Sequence, residues 1–432
     1  MHALSALRQC ATRMPVWAHP KEEEVMKTVR MEPLPDIDRR RFVRWTAAYG
    51  LTATVGALAT APRLADAEEM RQRIIAQAAA EKAKAATAKH TLIFGLDGVS
   101  HRWPDGPVYK GTMLCLGAWE LKDAIERHSE GAIAVNLQEG AALGGQVVAQ
   151  KKVQEGVIGA CNGSTQNMAA FAQVWNVTDF PYTIGPAENY WKLVYSEEVH
   201  NTLRATSAEQ GVIVLTLFPH TRWIELKKGL AFELRRPEQL NGLKIRVTGS
   251  RLEQEAFKVL PANPTPINWA EVYTAMNDGA IDGIHVGPAA VADAGIHEVT
   301  GQLVDTEWMY NTDAMWLSAK WWKSLAVPLQ EAILEAAYEA QLFIQKAYQP
   351  LFVRQLGIGP DSPPTSIWKK AGAKQVLLTS AERAVWQDFL SFERHKDRFQ
   401  PLVERFGKRE YETVVRVANS PGTAEQRRWW KA

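Results

Sequence analysis

Hydrophobic positions recur with two different spacings along residues 90–161. Short apolar or alternating runs at 90–95, 133–137 and 157–161 are typical of strands. Between the first two runs, apolar side chains recur at helical spacing, namely Leu114, Ala118, Leu121 and Ile125. A second helical segment is expected to end near Val153. Because strands and helices alternate, the pattern predicts an α/β lobe with a mostly parallel sheet.

A second stretch repeats this organisation. Residues 212–218 form a continuous apolar run between Gly211 and Pro219, typical of a strand covered on both faces and here expected to be a central crossing strand. Strand patterns follow at 243–247 and 280–286, with helical patterns between them. These features predict a second α/β lobe.

The last third of the chain has a predominantly helical pattern. From Val327 to about Gln355 the pattern is continuous, longer than one compact lobe usually needs, so this helix is expected to brace both lobes. The predicted fold is therefore a two-lobe α/β fold. Its first lobe comprises 90–218 with 302–326, its second lobe 219–301, and its C-terminal helices 327–432.

The start of the chain has the layout of an export signal. An arginine-rich block is followed by an uncharged run to Pro62 and by a small-residue triplet. The block, Arg39-Arg40-Arg41-Phe42, resembles a twin-arginine signal. We expect a leader over 1–67, with the signal in 31–67, cleavage after Ala67 and a periplasmic location. Met31 is an alternative start, and residues 68–89 are expected to be a linker or solvated helix.

Composition narrows the function classes. The 432 residues are 46% hydrophobic and 23% charged, with a formal net charge of +2, so the basic surplus of nucleic-acid-binding proteins is missing. Three cysteines stand far apart, without metal-ligand spacing. Two of them, Cys115 and Cys161, follow the leader and are expected to be buried thiols, with a disulfide between them in an oxidising compartment as the alternative. No phosphate-loop, dinucleotide, zinc-protease or nucleophile-elbow motif is found, so no catalytic residue, cofactor or metal is predicted.

Two polar positions are candidates for ligand binding. In the alternating run 243–247, Arg246 lies on the face opposite the apolar residues, and an arginine fixed on a strand suits a carboxylate through paired hydrogen bonds. A solvated strand arginine is the alternative. Thr165 ends the polar turn Gly163-Ser164-Thr165 after an apolar strand, where its hydroxyl could face a ligand; an ordinary turn is equally consistent.

Several blocks, taken in order, resemble the solute-binding proteins of tripartite ATP-independent periplasmic (TRAP) transporters. The resemblance spans about residues 90–350. The blocks are Ser129-Glu130-Gly131-Ala132-Ile133, Glu139-Gly140-Ala141-Ala142-Leu143-Gly144, Val153-Gln154-Glu155-Gly156, Thr178-Asp179-Phe180-Pro181, the run 236–246 from Arg236 to Arg246, and the run 271–283 from Glu271 to Gly283.

The resemblance implies a periplasmic binding protein with a hinge and a ligand cleft between its lobes. It would bind a small organic acid, without catalysis, and deliver it to a TRAP permease; a homodimer is left open. The resemblance assigns the ligand carboxylate to Arg246, with Arg222 as a second arginine 24 residues upstream, where some members have one about 20 upstream. The solute receptor of an ATP-driven importer and a twin-arginine-exported enzyme are the alternatives.

A metal site of some family members is not expected here. Keto-acid-binding members carry a Glu-Trp pair before a Val-Gly-Pro turn, but Ile284-His285 precedes the turn that begins at Val286 in this chain. His285 is therefore kept as a ligand-binding candidate, with a purely structural histidine as the alternative.

Overall fold

The structure is a computed structural model that describes residues 64–98, 100–102, 108–111, 115, 117–350, 353, 356–359 and 361–431. The predicted twin-arginine block and the uncharged run after it lie outside the described residues. Within the described part, no helix combines the length and the apolar character that a membrane span requires.

Thirteen strands in the described residues form two large mixed sheets and one hairpin. They are β1 (His90–Gly95), β2 (Ser100–Arg102), β3 (Val108–Gly111), β4 (Ile133–Gln138), β5 (Ala160–Ser164), β6 (Val212–Thr221), β7 (Trp223–Lys227), β8 (Lys244–Val247), β9 (Asn263–Pro266), β10 (Gly283–Val286), β11 (Thr300–Asp305), β12 (Tyr310–Ser318) and β13 (Lys374–Leu377).

The first sheet has the order β4-β1-β5-β12-β6. Its first three strands are parallel, as the strand–helix alternation predicts. However, β12 runs antiparallel to both β5 and β6, so the prediction of a mostly parallel sheet is wrong for this half. The physical reason is that the chain leaves this sheet along β6 and returns along β12, which makes those neighbours antiparallel.

The second sheet has the order β13-β11-β7-β10-β8-β9. Strand β7 is antiparallel to both of its neighbours, while β8 pairs in parallel with β9 and β10. Strand β11 lies wholly in this sheet, paired with β7 and β13. The sequence-based boundary at residue 302 falls inside β11, and the return to the first sheet lies after Asp305.

Helices cover both sheets. The α-helices of four or more residues in the described part of the chain are α1 (Leu64–Thr87), α2 (Ala118–His128), α3 (Gln146–Glu155), α4 (Thr165–Met168), α5 (Ala187–Val194), α6 (Ala205–Glu209), α7 (Arg251–Val259), α8 (Val272–Asn277), α9 (Pro288–Asp293), α10 (Ala319–Lys323), α11 (Val327–Pro350), α12 (Ile367–Ala371), α13 (Ser380–Phe389), α14 (Lys396–Phe406) and α15 (Lys408–Ala418). A three-residue helix, Glu197–Val199, and a π-helical turn, His200–Arg204, link α5 to α6.

The long C-terminal helix α11 packs on the first sheet through small side chains. Ala336, Ala337 and Ala340 are completely buried, which lets the helix approach its neighbours closely. Strand β6, expected to be central, is outermost in hydrogen-bond order. Gln341 of α11 covers its edge: the amide nitrogen donates to the carbonyl oxygen of Leu217, and the amide oxygen accepts from its backbone N–H, both at 2.8 Å.

The C-terminal residues after α11 contribute to both cores. Strand β13 extends the second sheet, and Trp386 of α13 is buried in the second core, donating to the carbonyl oxygen of Arg235 at 2.9 Å. Phe399 and Phe406 of α14 pack in the first core. These contacts connect the segment to each sheet.

The segment before β1 is helical. Helix α1 spans most of the stretch expected to be a linker or solvated helix. Its Glu81 lies 2.5 Å from Lys122, which is only 2% exposed and also pairs with Glu126. The helix therefore covers a buried ion pair. The expectation that Cys115 and Cys161 are buried is confirmed.

Candidate functional site

Arg222 lies at the point where the chain passes from the first sheet to the second. It is the single residue between β6 and β7, and its backbone N–H donates to the carbonyl oxygen of Met309 on the returning segment at 2.9 Å. The side chain is 1% exposed and its Nη2 donates to the carbonyl oxygen of His285. The side chain is therefore fixed at the junction of the two lobes.

Glu253 is the acid that pairs with Arg222. Ser250 caps helix α7, accepting from the Glu253 N–H at 3.3 Å, so Glu253 lies in the first turn of α7. Its Oε1 lies 3.1 Å from Arg222 Nη1, and its Oε2 accepts from the backbone N–H of Thr248 at 2.9 Å. Burial works to raise the pKa of Glu253, but the charge of Arg222 and the hydrogen bonds outweigh it and hold the pKa at about 2.

His285 completes this cluster from strand β10. Its Nδ1 lies 2.9 Å from Glu253 Oε1, and its ring stacks on Trp308 with centroids 4.5 Å apart. Burial and the nearby charge of Arg222 lower the pKa of His285 to about 4, so the ring is neutral at pH 7 and its Nδ1–H donates to Glu253. His285 thus positions Glu253. Among the described residues, no group of three or more His, Cys, Asp or Glu could hold a metal.

Arg246 lies on strand β8 and is 4% exposed. Its Nε donates to the carbonyl oxygen of Ile267 at 3.0 Å, and its guanidinium lies 5.4 Å from the ring centroid of Trp269. Burial lowers the pKa of Arg246 to about 10; the charge of Glu253 opposes this shift and that of Arg222 adds to it. Within the described residues no acidic side chain forms an ion pair with Arg246, in contrast to Arg222.

The first lobe contributes a set of buried polar groups at the end of β5. Thr165 and Gln166 begin helix α4, and both are 0% exposed. Gln166 Nε2 donates to Asp179 Oδ1 at 2.8 Å and to the carbonyl oxygen of Tyr310 at 3.1 Å. Burial raises the pKa of Asp179 to about 7, although the Gln166 hydrogen bond and the charge of Arg222 lower it.

The two sets of groups face each other. Ser250 of the second lobe lies 3.4 Å from Asn176 of the first lobe, measured from Oγ to Oδ1. The charges of Arg222 and Glu253 also act on the pKa of Asp179. The sequence candidates Arg222, Arg246 and His285 therefore lie in one region with Asp179, while Thr165 lies next to Gln166 at its first-lobe edge.

Some polar residues of this region were not singled out from the sequence. Asp179 lies within a block that carries the family resemblance, but no role was assigned to it. Gln166 follows a named candidate directly, and Glu253 carries only an N-terminal helix signal. Glu225 of β7 is completely buried, and burial raises its pKa well above the usual range. An acid inside an apolar strand pattern was the available signal for Glu225.

A polar groove of about 900 Å³ lies elsewhere, between the segment around Glu198 and helix α15. Its wall includes Arg416, which is exposed and forms an ion pair with Glu198. None of the sequence candidates Thr165, Arg222, Arg246 and His285 lines this groove. The groove is therefore not the candidate site.

Comparison with known proteins decides the family. The family model of the bacterial extracellular solute-binding proteins, family 7, matches residues 107–352, more than half of the chain. The chain belongs to this family. The resemblance to TRAP solute-binding proteins is thereby confirmed, and the two-lobe fold and solute-binding function predicted from it agree with the family.

Two of the relatives are named as periplasmic binding proteins. The 2,3-diketo-L-gulonate-binding periplasmic protein YiaO of Escherichia coli is 26% identical over 231 residues, 54% of this chain and 70% of that protein. The C4-dicarboxylate-binding periplasmic protein DctP of Rhodobacter capsulatus is 22% identical, over 67% of this chain and 81% of that protein. Members of the family are binding proteins.

A solved structure supports the fold. The TRAP periplasmic solute-binding protein of Ralstonia eutropha, crystallised with (S)-2-acetolactate, superposes with a TM-score of 0.63 at 23% identity. The match covers 76% of this chain and 98% of that protein. At this identity the comparison supports the two-lobe architecture alone.

Proposed function

We propose that this chain binds a small organic acid between its lobes in the periplasm and delivers it to a TRAP permease. The observation that carries the proposal is the state of Arg246, a cation that is 4% exposed and has no ion-pair partner among the described residues. A buried charge without a partner is costly, so such a residue is favoured where a ligand supplies the opposite charge.

The guanidinium of Arg246 suits a carboxylate in particular. Its Nε is held by the carbonyl oxygen of Ile267 and its face by Trp269, so the side chain is fixed before the ligand arrives. A fixed arginine donates two parallel hydrogen bonds to a carboxylate, which gives direction as well as attraction. Prior fixation also reduces the entropy that binding costs.

Arg222 has a different role in this proposal. Its charge is balanced by Glu253, but its Nε has no hydrogen-bond partner among the described residues. We assign to it a secondary hydrogen bond to the ligand and the positioning of the lobe junction. Thr165 is assigned a hydroxyl contact at the first-lobe edge. His285 acts through Glu253, so it is a positioning residue.

Periplasmic location and the permease partner rest on the family and on the sequence of the leader. The family relation disfavours a receptor for an ATP-driven importer. The family relation also disfavours an exported enzyme, since members of the family are binding proteins.

The direct test is a ligand screen on the purified chain lacking residues 1–67. Organic acids are added in a thermal-shift assay and each hit is measured by calorimetry, alongside the corresponding neutral amide. A ligand at 100 times its dissociation constant adds about 2.7 kcal/mol of stability. We expect at least one acid to bind, and we expect its neutral amide to bind much more weakly. Equal binding of acid and amide contradicts the proposal, as does turnover of the bound acid.

A further inference from the structure

Three buried polar atoms on the first-lobe side of the cleft have no hydrogen-bond partner among the described residues. They are Thr165 Oγ1, Gln166 Oε1 and Asp179 Oδ2. The three side chains belong to residues that are at most 1% exposed. Because buried polar groups are nearly always hydrogen-bonded, a cluster of three indicates a place where a ligand supplies the missing partners.

The orientation of Gln166 shows which kind of partner is missing. Its Nε2 is occupied by Asp179 Oδ1 and the carbonyl oxygen of Tyr310, two acceptors that fix the amide nitrogen on that side. The remaining Oε1 can only accept a hydrogen bond, and Asp179 Oδ2 likewise only accepts above about pH 7, where its carboxyl is ionised. This edge of the cleft therefore requires donors from the ligand.

The charges of the cleft provide for one ligand carboxylate. Of the lysine and arginine side chains that are buried in the described part of the chain, Lys122 and Arg204 lie elsewhere, next to Glu126 and Trp429. The other two are Arg246 and the already paired Arg222. A second ligand carboxylate at the first-lobe edge would meet acceptors and the acid Asp179, with no buried cation assigned to it.

Arg222 connects the two ends of the site. Its charge acts on the pKa values of both Asp179 and Arg246, and its Nη1 lies 3.1 Å from Glu253 at the start of α7, so these groups lie in one region. A small molecule between the lobes can therefore face Arg246 with one end and the acceptors with the other.

We infer that the ligand is a hydroxylated monocarboxylic acid, with its carboxylate on Arg246 and its hydroxyl groups donating to Asp179 and Gln166. This inference rests on the proposed function and narrows it. Hydroxyl groups satisfy the acceptors without adding charge, and Thr165 Oγ1 can accept from or donate to the same groups. The second carboxylate of a dicarboxylate would donate no hydrogen bond to these acceptors and would add a negative charge beside them.

Calorimetry with acids of matched length tests the inference on the unaltered protein. The probes are D-erythronate, butanoate and succinate at four carbons, and D-gluconate, D-galactonate, hexanoate and adipate at six. We expect at least one hydroxylated acid to bind at least about tenfold tighter than the unsubstituted acid and the diacid of the same length, since each lost hydroxyl leaves a buried acceptor unpaired.

The titrations can contradict the inference and the proposed function separately. If a diacid or an unsubstituted acid binds as tightly as its hydroxylated counterpart, the inference is wrong while the proposed function survives. If no acid of this set or of the wider screen binds, the proposed function fails and the inference with it.

The variants Asp179→Asn and Arg246→Ala locate the two ends. Asp179→Asn keeps the size of the side chain but replaces an acceptor by an amide. It should therefore weaken binding of the hydroxylated acid about tenfold and change the affinity for the unsubstituted acid by less than about threefold. Arg246→Ala should weaken both, and Asp388→Asn, at an exposed position, should change neither. Unchanged selectivity in a folded Asp179→Asn protein contradicts the inference. If that variant does not fold, the comparison on the unaltered protein still decides.

Discussion

Glu253 Oε1 lies 3.1 Å from Arg222 Nη1, and both side chains are at most 1% exposed. The pair joins the first helix turn after β8 to the junction between the sheets. The pair balances the charge of Arg222 but not that of Arg246, the other arginine predicted from the sequence. Among the described residues, Arg246 has no acidic partner. The pair is therefore the reason that the two arginines are assigned different roles.

Removing the charge of Glu253 should destabilise the protein strongly. Glu253→Gln leaves Arg222 as an uncompensated buried charge and disturbs the hydrogen bond from His285. We expect the free energy of unfolding to fall by about 3–5 kcal/mol. Urea unfolding followed by tryptophan fluorescence measures the difference.

Glu255→Gln, two residues later on the same helix, is the matched control for this prediction. Its partner Lys258 is exposed and the pair lies at the surface, so the change should cost less than about 1 kcal/mol. Similar losses for the two variants would contradict the account of the buried pair.

Asp179 should make stability depend on pH in a defined direction. Its pKa rises from 3.8 to about 7 on folding, mainly through burial, so between these values the folded chain holds a proton that the unfolded chain has lost. The free energy of unfolding therefore falls as the pH rises through this window. Replacing Asp179 by Asn removes this dependence.

The measurement is the stability difference between Asp179→Asn and the unaltered protein without ligand at pH 5 and pH 8. Other titrating groups, including Glu253 and His285, cancel to first order in that difference. The variant should gain about 3 kcal/mol relative to the unaltered protein between the two pH values. A difference that is constant with pH, or one of opposite sign, would contradict the raised pKa.

Gln341 should stabilise the edge of the first sheet. In Gln341→Ala both the N–H and the carbonyl of Leu217 lose their buried partner, at about 1–3 kcal/mol for each group. Chemical denaturation should show a loss of about 2–6 kcal/mol for the two groups together. Glu331→Ala, at an exposed position of the same helix, serves as the control and should change stability by less than about 0.5 kcal/mol. Equal effects of the two substitutions would rule out the edge contact.

Local patterns were sufficient to predict individual elements but not every sheet neighbour. The alternation at 243–247 correctly predicted a strand, β8, and the long helix from Val327 follows its pattern. The edge position of β6 could not be read from its sequence, because the side chain of Gln341, 124 residues after Leu217, covers that edge. An apolar run indicates that a strand is buried, but it does not indicate which element buries it.

The site was predictable only where residue type and family resemblance coincided. Arg246 had both. The pairing of Glu253 with Arg222 and the position of Asp179 depend on contacts between distant segments, which spacing along one chain does not encode. The same limit applies to His285, whose role became clear only from its position between Glu253 and Trp308.

Export by the twin-arginine route remains a prediction from the sequence. Replacing Arg39, Arg40 and Arg41 together by Lys should keep the precursor in the cytoplasm, because the route requires its arginine pair. Cell fractionation and immunoblotting compare the variant with Arg44→Lys, which alters one basic residue outside the block. Normal periplasmic accumulation of the triple variant would contradict this route.

The measurement that tests the central claim most directly is calorimetric titration of an acid found by the screen into the unaltered protein, Arg246→Ala, Arg246→Lys and the surface control Arg127→Ala. Arg246→Ala should weaken binding by about 2–5 kcal/mol, roughly 30- to 4,000-fold. Arg246→Lys should also bind poorly because it loses the paired donors. Arg127→Ala should bind normally. If both Arg246 variants melt normally and bind within a few-fold of the unaltered protein, Arg246 does not hold the carboxylate.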